Sequence, residues 1–294
     1  MERWLLLDSN FLTHRALHSM GQLSHNDIKI GTIYGFLRDV VGFQELFDTT
    51  NVAFCWDYGL GIRKEMYPPY KAKRDARKAA LTGTELAMHQ EFHAQVDKLR
   101  DRYLPKLGYS NVFFKEGYES DDIIASLCAT LQGKEIIIIT ADKDLWQCLG
   151  PDVRQYNPTT KQTTTAELFR QTWGIEPDQW ADVLSIAGCN TDEVAGLAGI
   201  GKLTAAKYLR DELKPGTKLA AIDCRNGSKV WRRNLGLTRL PLAGVGTFTL
   251  QPDTVSVAKW QALCDKLGFQ SIRGDAPLAG RALQTRRKGF GIGG

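Results

Sequence analysis

The sequence predicts an α/β protein whose mainly parallel sheet is flanked by helices. Three observations predict it. From residue 1 to about 156, short β-like runs alternate with helical stretches, the pattern of βαβ units. One run, Ile136–Ile139, is apolar without a break, as a central strand covered on both faces requires. Four carboxylate clusters lie where apolar strands should end, the edge at which open α/β sheets place their chemistry.

The first strand is Trp4–Leu7, ending at Asp8. Its brief apolar run has no extended h-region or small-residue cleavage site, so it does not read as a signal peptide. A helix near Thr32–Phe47 follows, then a strand over Val52–Trp56 that ends at Asp57. The segment Arg63–Arg74 mixes bases with aromatics. Tyr67 and Tyr70 suit stacking on bases, and Arg63, Lys71 and Arg74 suit phosphates. Residues 75 to 107 favour helix at Ala76–Ala80 and Glu85–Arg102, broken at Leu81–Thr84, and read as a lid or arch. His89 and His93 stand four apart there without a companion zinc ligand and read as arch or surface residues. A strand over Val112–Lys115 leads to Glu119, Asp121 and Asp122, which open a helix over Asp121–Leu131. A strand over Ile136–Thr140 leads to Asp142 and Asp144, with a helical stretch at Lys143–Cys148 and a further strand at Val153–Tyr156. After Asn157-Pro158 helices dominate, near Thr165–Trp173, Pro177–Ala187, Leu203–Leu213 and Val257–Leu267. The Gly-rich end, Gly289–Gly294, reads as disordered. The organisation expected is residues 1–160, with an arch at about 71–107, followed by a mostly helical region over 161–294.

Asp8, Asp57, Glu119, Asp121, Asp122, Asp142 and Asp144 would meet at one sheet edge. Singly, each also reads as a helix cap or first-turn acid. Together their charge demands divalent cations, and all-oxygen ligation suits Mg²⁺ or Mn²⁺. The chain of 294 residues carries a net charge of +5. Its bases concentrate at Arg63–Lys78, Lys229–Arg233 and Arg286–Lys288, so a polyanion could be held by them and processed at the acidic edge. The tail triplet alone reads as solvated surface. Gly196–Leu209 is a Gly-rich turn opening a helix. It is not a nucleotide P-loop, since Leu203 rather than Ser or Thr follows Lys202 and no strand precedes Gly196. Gly199, Gly201, Lys202 and Thr204 instead suit a hairpin whose amides hold a nucleic acid backbone, or a tight helix–helix turn. The six cysteines are scattered, which fits free thiols in a reducing cytosol. No apolar run approaches a membrane span.

Taken together, the motifs resemble the 5′-nuclease superfamily, which includes bacteriophage flap endonucleases and 5′-3′ exonucleases and the 5′-nuclease domain of bacterial DNA polymerase I. The pieces that carry the resemblance are YxxYKxxR at Tyr67–Arg74, GYExDD at Gly117–Asp122, TADKDL at Thr140–Leu145 and G-I-G-K-x-T-A at Gly199–Ala205. They run in family order over most of the chain. The resemblance implies a PIN-like domain, a helical arch and a helix–three-turn–helix (H3TH) module that binds duplex DNA and often K⁺. It implies metal-dependent hydrolysis of DNA near free 5′ ends, flaps or branches, by a cytoplasmic monomer. By position, the seven acids and Asp192 take the metal-site roles, Lys71 and Arg74 the basic pair at the arch base, and Tyr70 the aromatic beside them. One departure stands out. The family's G-D-x-x-D-N-x-P-G is Gly188-Cys-Asn-Thr-Asp-Glu-Val-Ala-Gly196 here. Cys189 replaces a hard ligand, so of up to two cations the second is expected to be weakened unless Glu193 compensates. Two rival readings are a non-catalytic DNA-structure binding protein and a PIN-type ribonuclease. With no polymerase segment following, a stand-alone nuclease is expected.

Overall fold

The computed structural model describes residues 2–59 and 61–277. The Gly-rich end and the basic triplet at 286–288 lie outside them. The chain forms two units from interleaved segments. Among the described residues, one takes 57–80 and 114–248; the other takes 2–56, 81–113 and 249–277.

In the second of these, strands Arg3–Asp8, Asn51–Cys55 and Val112–Phe113 are parallel, with Asn51–Cys55 in the middle. Leu5 pairs with Val52 and Leu7 with Phe54. Leu5, Leu6, Leu7, Val52, Ala53 and Phe54 are all fully buried. Both faces are covered, which is why these strands carry no polar alternation. Helices Ser9–Met20 and Gly31–Leu46 pack together. Gly35 is required there, because a Cβ would come within 2.9 Å of the Ala16 Cβ. Helix Gly83–Lys98 runs through a π-helical turn, Leu99–Tyr103, to Leu104–Leu107 and stops at Gly108 with φ of 101°. Residues 249–255 return to this unit through an amide exchange. Asn111 Nδ2 donates to the Gln251 carbonyl at 2.9 Å, and Gln251 N donates to Asn111 Oδ1 at 2.8 Å.

In the other unit, Glu135–Ile139 and Val153–Asn157 are parallel and Gln162–Thr164 adds an antiparallel edge. Helix Trp180–Ala187 packs against Lys202–Leu209 and Arg225–Thr238. Its core is aromatic: Trp180, fully buried, stands 4.6 Å from Trp173, 5.3 Å from Trp146 and 5.6 Å from Phe169.

The α/β class is as the sequence predicts. Several elements differ. The strand at 112 is only Val112–Phe113, and Asp144–Cys148 is a 3₁₀ turn. Helices Ser9–Met20, Thr217–Asp223 and Arg225–Thr238 and strand Gln162–Thr164 were not anticipated. The helix at Arg225 is so basic that its apolar stripe is hard to see. The first helix hides behind Asp8, whose carboxylate caps it by accepting from Phe11 N at 3.1 Å. Among the described residues no helix is long and apolar enough to cross a membrane.

Candidate active site

The site is built on the turn before helix Ser120–Thr130. Glu119 is its N-cap, in a reciprocal capping box with Asp122. Asp57 braces the same turn, accepting from Ser120 N at 2.8 Å. Asp122 is fully buried. Arg63 grips it with two parallel bonds, Nη1 to Oδ2 at 2.6 Å and Nη2 to Oδ1 at 2.8 Å. Glu119 N and Leu242 N also donate to Asp122. Arg63 is 2 % exposed, and its Nε donates to the Leu237 carbonyl. The expectation that Arg63 meets a phosphate is therefore corrected: its whole fork is used inside the protein. Residues 240–246, which sequence reasoning missed, clasp this turn. Tyr118 Oη donates to the Ala243 carbonyl, Lys115 Nζ to those of Gly244 and Val245, and Ser126 Oγ to that of Gly246.

Lys71 stands at the head of helix Ala72–Ala79, in the left-handed region with φ of 52°. Its ammonium is buried and donates to Glu119 Oε1 at 2.5 Å; Asp192 Oδ1 lies 3.8 Å away. Burial works against the charged form, but Glu119 and Asp192 outweigh it and hold the Lys71 pKa above its usual value. Burial likewise opposes the Glu119 charge, but Lys71 and Arg63 hold its carboxyl below the usual range. Tyr70 is 4 % exposed and donates to Glu119 Oε2 at 2.8 Å. Its ring does not face solvent, which corrects the expectation of an open stacking surface at this position. Tyr67 is half-buried under the Arg233 guanidinium, 4.9 Å from the ring centroid. Arg74 is half-exposed and 3.9 Å from Asp192.

A second group gathers Asp142, Asp144, Asp192 and Cys189. Asp142 Oδ1 accepts from Asp144 N at 2.8 Å. Cys189 sits in a two-stranded hairpin, Gly188–Cys189 with Val194–Ala195. Its Sγ is 4.0 Å from Asp144 Oδ2. Burial, Asp144 and Asp192 push the thiol pKa up, so it stays protonated. Burial and the charges of Asp142 and Asp192 push the Asp144 carboxyl up to about 7. Asp192 is raised by burial, with Lys71 working against it and Glu119 and Asp142 adding to it. Asp121 is raised too, by burial, with Arg63 opposing and Asp122 and Glu119 reinforcing. Glu193 Oε2 accepts from Lys73 N at 3.0 Å.

Residues 3–174 match the sequence model of a family described as 5′-3′ exonuclease, N-terminal resolvase-like domain. The chain belongs to this 5′-3′ exonuclease family. It is 32 % identical over 287 residues to the thermostable DNA polymerase I of Thermus aquaticus, across 92 % of this chain and 32 % of that protein. The chain thus spans about a third or less of such polymerase relatives. It is 29 % identical over 218 residues to a 5′-3′ exonuclease of Bacillus subtilis, across 70 % of this chain and 69 % of that one. A structure of the T5 5′-exonuclease superposes with a TM-score of 0.69 at 21 % identity, across 82 % of this chain and 90 % of that chain, and shares its fold.

Set against the 5′-3′ exonuclease family's motifs, Asp57, Glu119, Asp121, Asp122, Asp142, Asp144 and Asp192 all lie in the unit that also holds Lys71 and Arg74. Asp8 lies in the other unit as a helix cap. Among the described residues no three His, Cys, Asp or Glu side chains already converge as a metal cage. The donor set still fits a hard cation: Asp121, Asp144 and Asp192 are carboxylates whose charge their surroundings do not cancel, and their donors are oxygens. At the hairpin, Gly199 needs its φ of 73°, whereas Gly201 has ordinary dihedrals and open space at its Cβ position. Gly201 and Thr204 lie at the start of helix Lys202–Leu209. Lys202 Nζ stands 5.4 Å over the Trp180 ring.

Proposed function

We propose that the chain is a divalent-metal-dependent 5′ nuclease that hydrolyses DNA phosphodiesters near 5′ ends, flaps or branches, both as a 5′-3′ exonuclease and as a flap endonuclease. The observation that carries the reading is the crowding of under-compensated carboxylates, Asp121, Asp144 and Asp192, around one buried ammonium, Lys71. The names of relatives support it: a Bacillus subtilis 5′-3′ exonuclease, and T5 enzymes solved with divalent metal ions and with DNA.

In this reading Asp57, Glu119, Asp121 and Asp142 would hold Mg²⁺ or Mn²⁺, with Asp8, Asp144 and Asp192 as further family positions. A cation held there would supply Lewis-acid polarisation of the scissile phosphate and activation of water. The protein's own groups do the rest. Arg63 and Asp122 lock the acid-bearing turn. Tyr70 orients Glu119. Lys71 offers a pre-placed positive charge for the phosphoryl transition state, and the half-exposed Arg74 meets a phosphate at its rim. Tyr67 and the hairpin of Gly199, Gly201, Lys202 and Thr204 belong to the DNA-binding side, with K⁺ at the hairpin. The division into a PIN-like domain over 1–160 and an H3TH region over 161–294, and a cytoplasmic monomer, complete the proposal.

The test is cleavage of a 5′-labelled DNA flap, a DNA duplex and a matched RNA flap in Mg²⁺, Mn²⁺ or EDTA. DNA cut near its 5′ end or branch, and protected by EDTA, is expected. Tight binding without cleavage in either metal would leave a DNA-structure binding protein. Preference for the RNA flap would leave a ribonuclease.

A further inference from the structure

Helix Ala72–Ala79 carries Arg74 and begins at Lys71, yet none of its eight residues is buried. It has no apolar stripe to dock on a core, and a short helix that is polar all round is marginal in water. Its order must come from its ends and its ion pairs. Asp75 pairs with Lys64 on the preceding helix, Gly61–Met66. At the N-terminus the cap residue is Lys71, whose side chain makes no capping bond. An ammonium can only donate, and this one is engaged by Glu119. Lys71, Lys73 and Arg74 also crowd the end of the helix at which its dipole favours negative charge.

The missing cap is supplied from 120 residues downstream. Glu193 Oε2 accepts from Lys73 N at 3.0 Å, and the Asp192 carbonyl accepts from Lys71 N at 3.0 Å. Both acceptors belong to the 3₁₀ turn Asn190–Asp192 and the residue that closes it. Glu193 stands there at φ of 56°, in the left-handed region, where a residue with a long side chain is held at a cost. The Asp192 carboxylate faces Lys71 and Arg74 at 3.8 and 3.9 Å. Two adjacent residues thus meet the helix through its first amides and through its cations together.

We infer that Glu193 is a positioning residue: its carboxylate caps helix Ala72–Ala79 from across the fold, and so holds Lys71 and Arg74 ready for a phosphate before any DNA binds. The phosphate rests on the nuclease reading; the cap stands on the hydrogen bond alone.

The test pairs limited trypsin digestion of the whole protein without DNA with single-turnover flap cleavage at saturating DNA. Lys73, Arg74, Arg77 and Lys78 are exposed trypsin sites on this helix. Loss of the cap in Glu193→Ala should speed cutting there by about fivefold, read by mass spectrometry, with cuts elsewhere unchanged. The saturated cleavage rate should fall by a similar factor, with DNA affinity within about threefold of the wild type. Glu193→Gln keeps an acceptor of the same length and should hold both readings within about threefold of the wild type. Unchanged trypsin resistance in Glu193→Ala would overturn the inference. So would a normal saturated rate in a variant whose helix has opened. A slow Glu193→Gln whose helix still resists trypsin would overturn it too, since Glu193 would then act through its charge at the cation. If Glu193→Ala fails to fold, Glu193→Gly decides, because glycine takes this φ without strain; a resistant helix there also overturns the inference. A wild type that cuts no flap, beside a Glu193→Ala helix opened to trypsin, would instead remove the nuclease reading and leave the cap standing.

Discussion

Four donors converge on the Asp122 carboxylate, two of them from one buried guanidinium. Asn at this position keeps a single acceptor and leaves the buried Arg63 without its bidentate partner, with only Glu119 as an ion-pair partner, 3.6 Å away. Asp122→Asn should therefore cost roughly 3–5 kcal/mol of stability, the range for breaking a buried pair, as read by chemical denaturation. Lost cleavage with unchanged stability would instead put Asp122 at the metal. Lys71→Ala should lower single-turnover cleavage at saturating DNA by roughly 10²–10³-fold, because a cation placed for developing charge acts mostly in the transition state. A normal saturated rate with weakened binding would contradict that role. Away from the site, burial pushes the Asp253 carboxyl up to about 6, with the Ser110 N–H pulling the other way. A raised carboxyl binds its proton more tightly in the folded chain. The stability this brings is fully present below about pH 4 and is lost as pH rises through about 6. Asp253→Asn should thus gain on the wild type across that window, by about 1–2 kcal/mol after allowance for partial exposure; parallel pH–stability curves would count against it. Seven of the acids stand out in the sequence as clusters at strand ends, whereas Asp192 and the Lys71/Arg74 pair are picked out only by the family resemblance. The inward turn of Arg63 and Tyr70 could not be read there, since a short run of bases and aromatics has no periodicity to mark a buried face. The partner that buries Arg63 lies 59 residues away.

The elements legible beforehand were those whose pattern has one cause. The unbroken Ile136–Ile139 run could only be a covered strand, and Val257–Leu267 has both a Ser256 cap and a Gly268 stop. Helix Arg225–Thr238 was visible only as a patch of bases. Its buried side is Gly227, Asn234, Leu237 and Thr238, two of them polar, so hydrophobic periodicity has little to report. Asn234 is satisfied instead by donating to the Ser185 and Ala195 carbonyls. Arg225, Lys229 and Arg232 are exposed, at spacings of four and three that put them on one helical face. Such a row suits the regular phosphates of a duplex. Replacing all three with Ala should lower the salt slope of duplex binding by roughly two to three units, while cleavage of saturated flap stays near normal. An unchanged slope would mark the row as solvated surface.

Across the whole molecule, the chain passes back and forth between its two units at residues 56, 80, 113 and 248. No local signal announces those returns, because each is fixed by partners far along the chain. Crowded acids should also make the metal-free fold less stable than the loaded one. Mn²⁺ at about a hundred times its dissociation constant should add about 2.7 kcal/mol, seen as a higher melting temperature that EDTA reverses; no shift would mean that the acids hold no ion. The clasp on the acid-bearing turn carries a further consequence, in time rather than energy. Arg63 is completed by a carbonyl 174 residues downstream, and Asp122 by an amide 120 residues downstream. At translation speeds of roughly 5–20 residues per second, the Arg63 contact waits about 10–35 s for its partner to be made. A growing chain therefore carries every acid of the site before it can lock the acid-bearing turn in place.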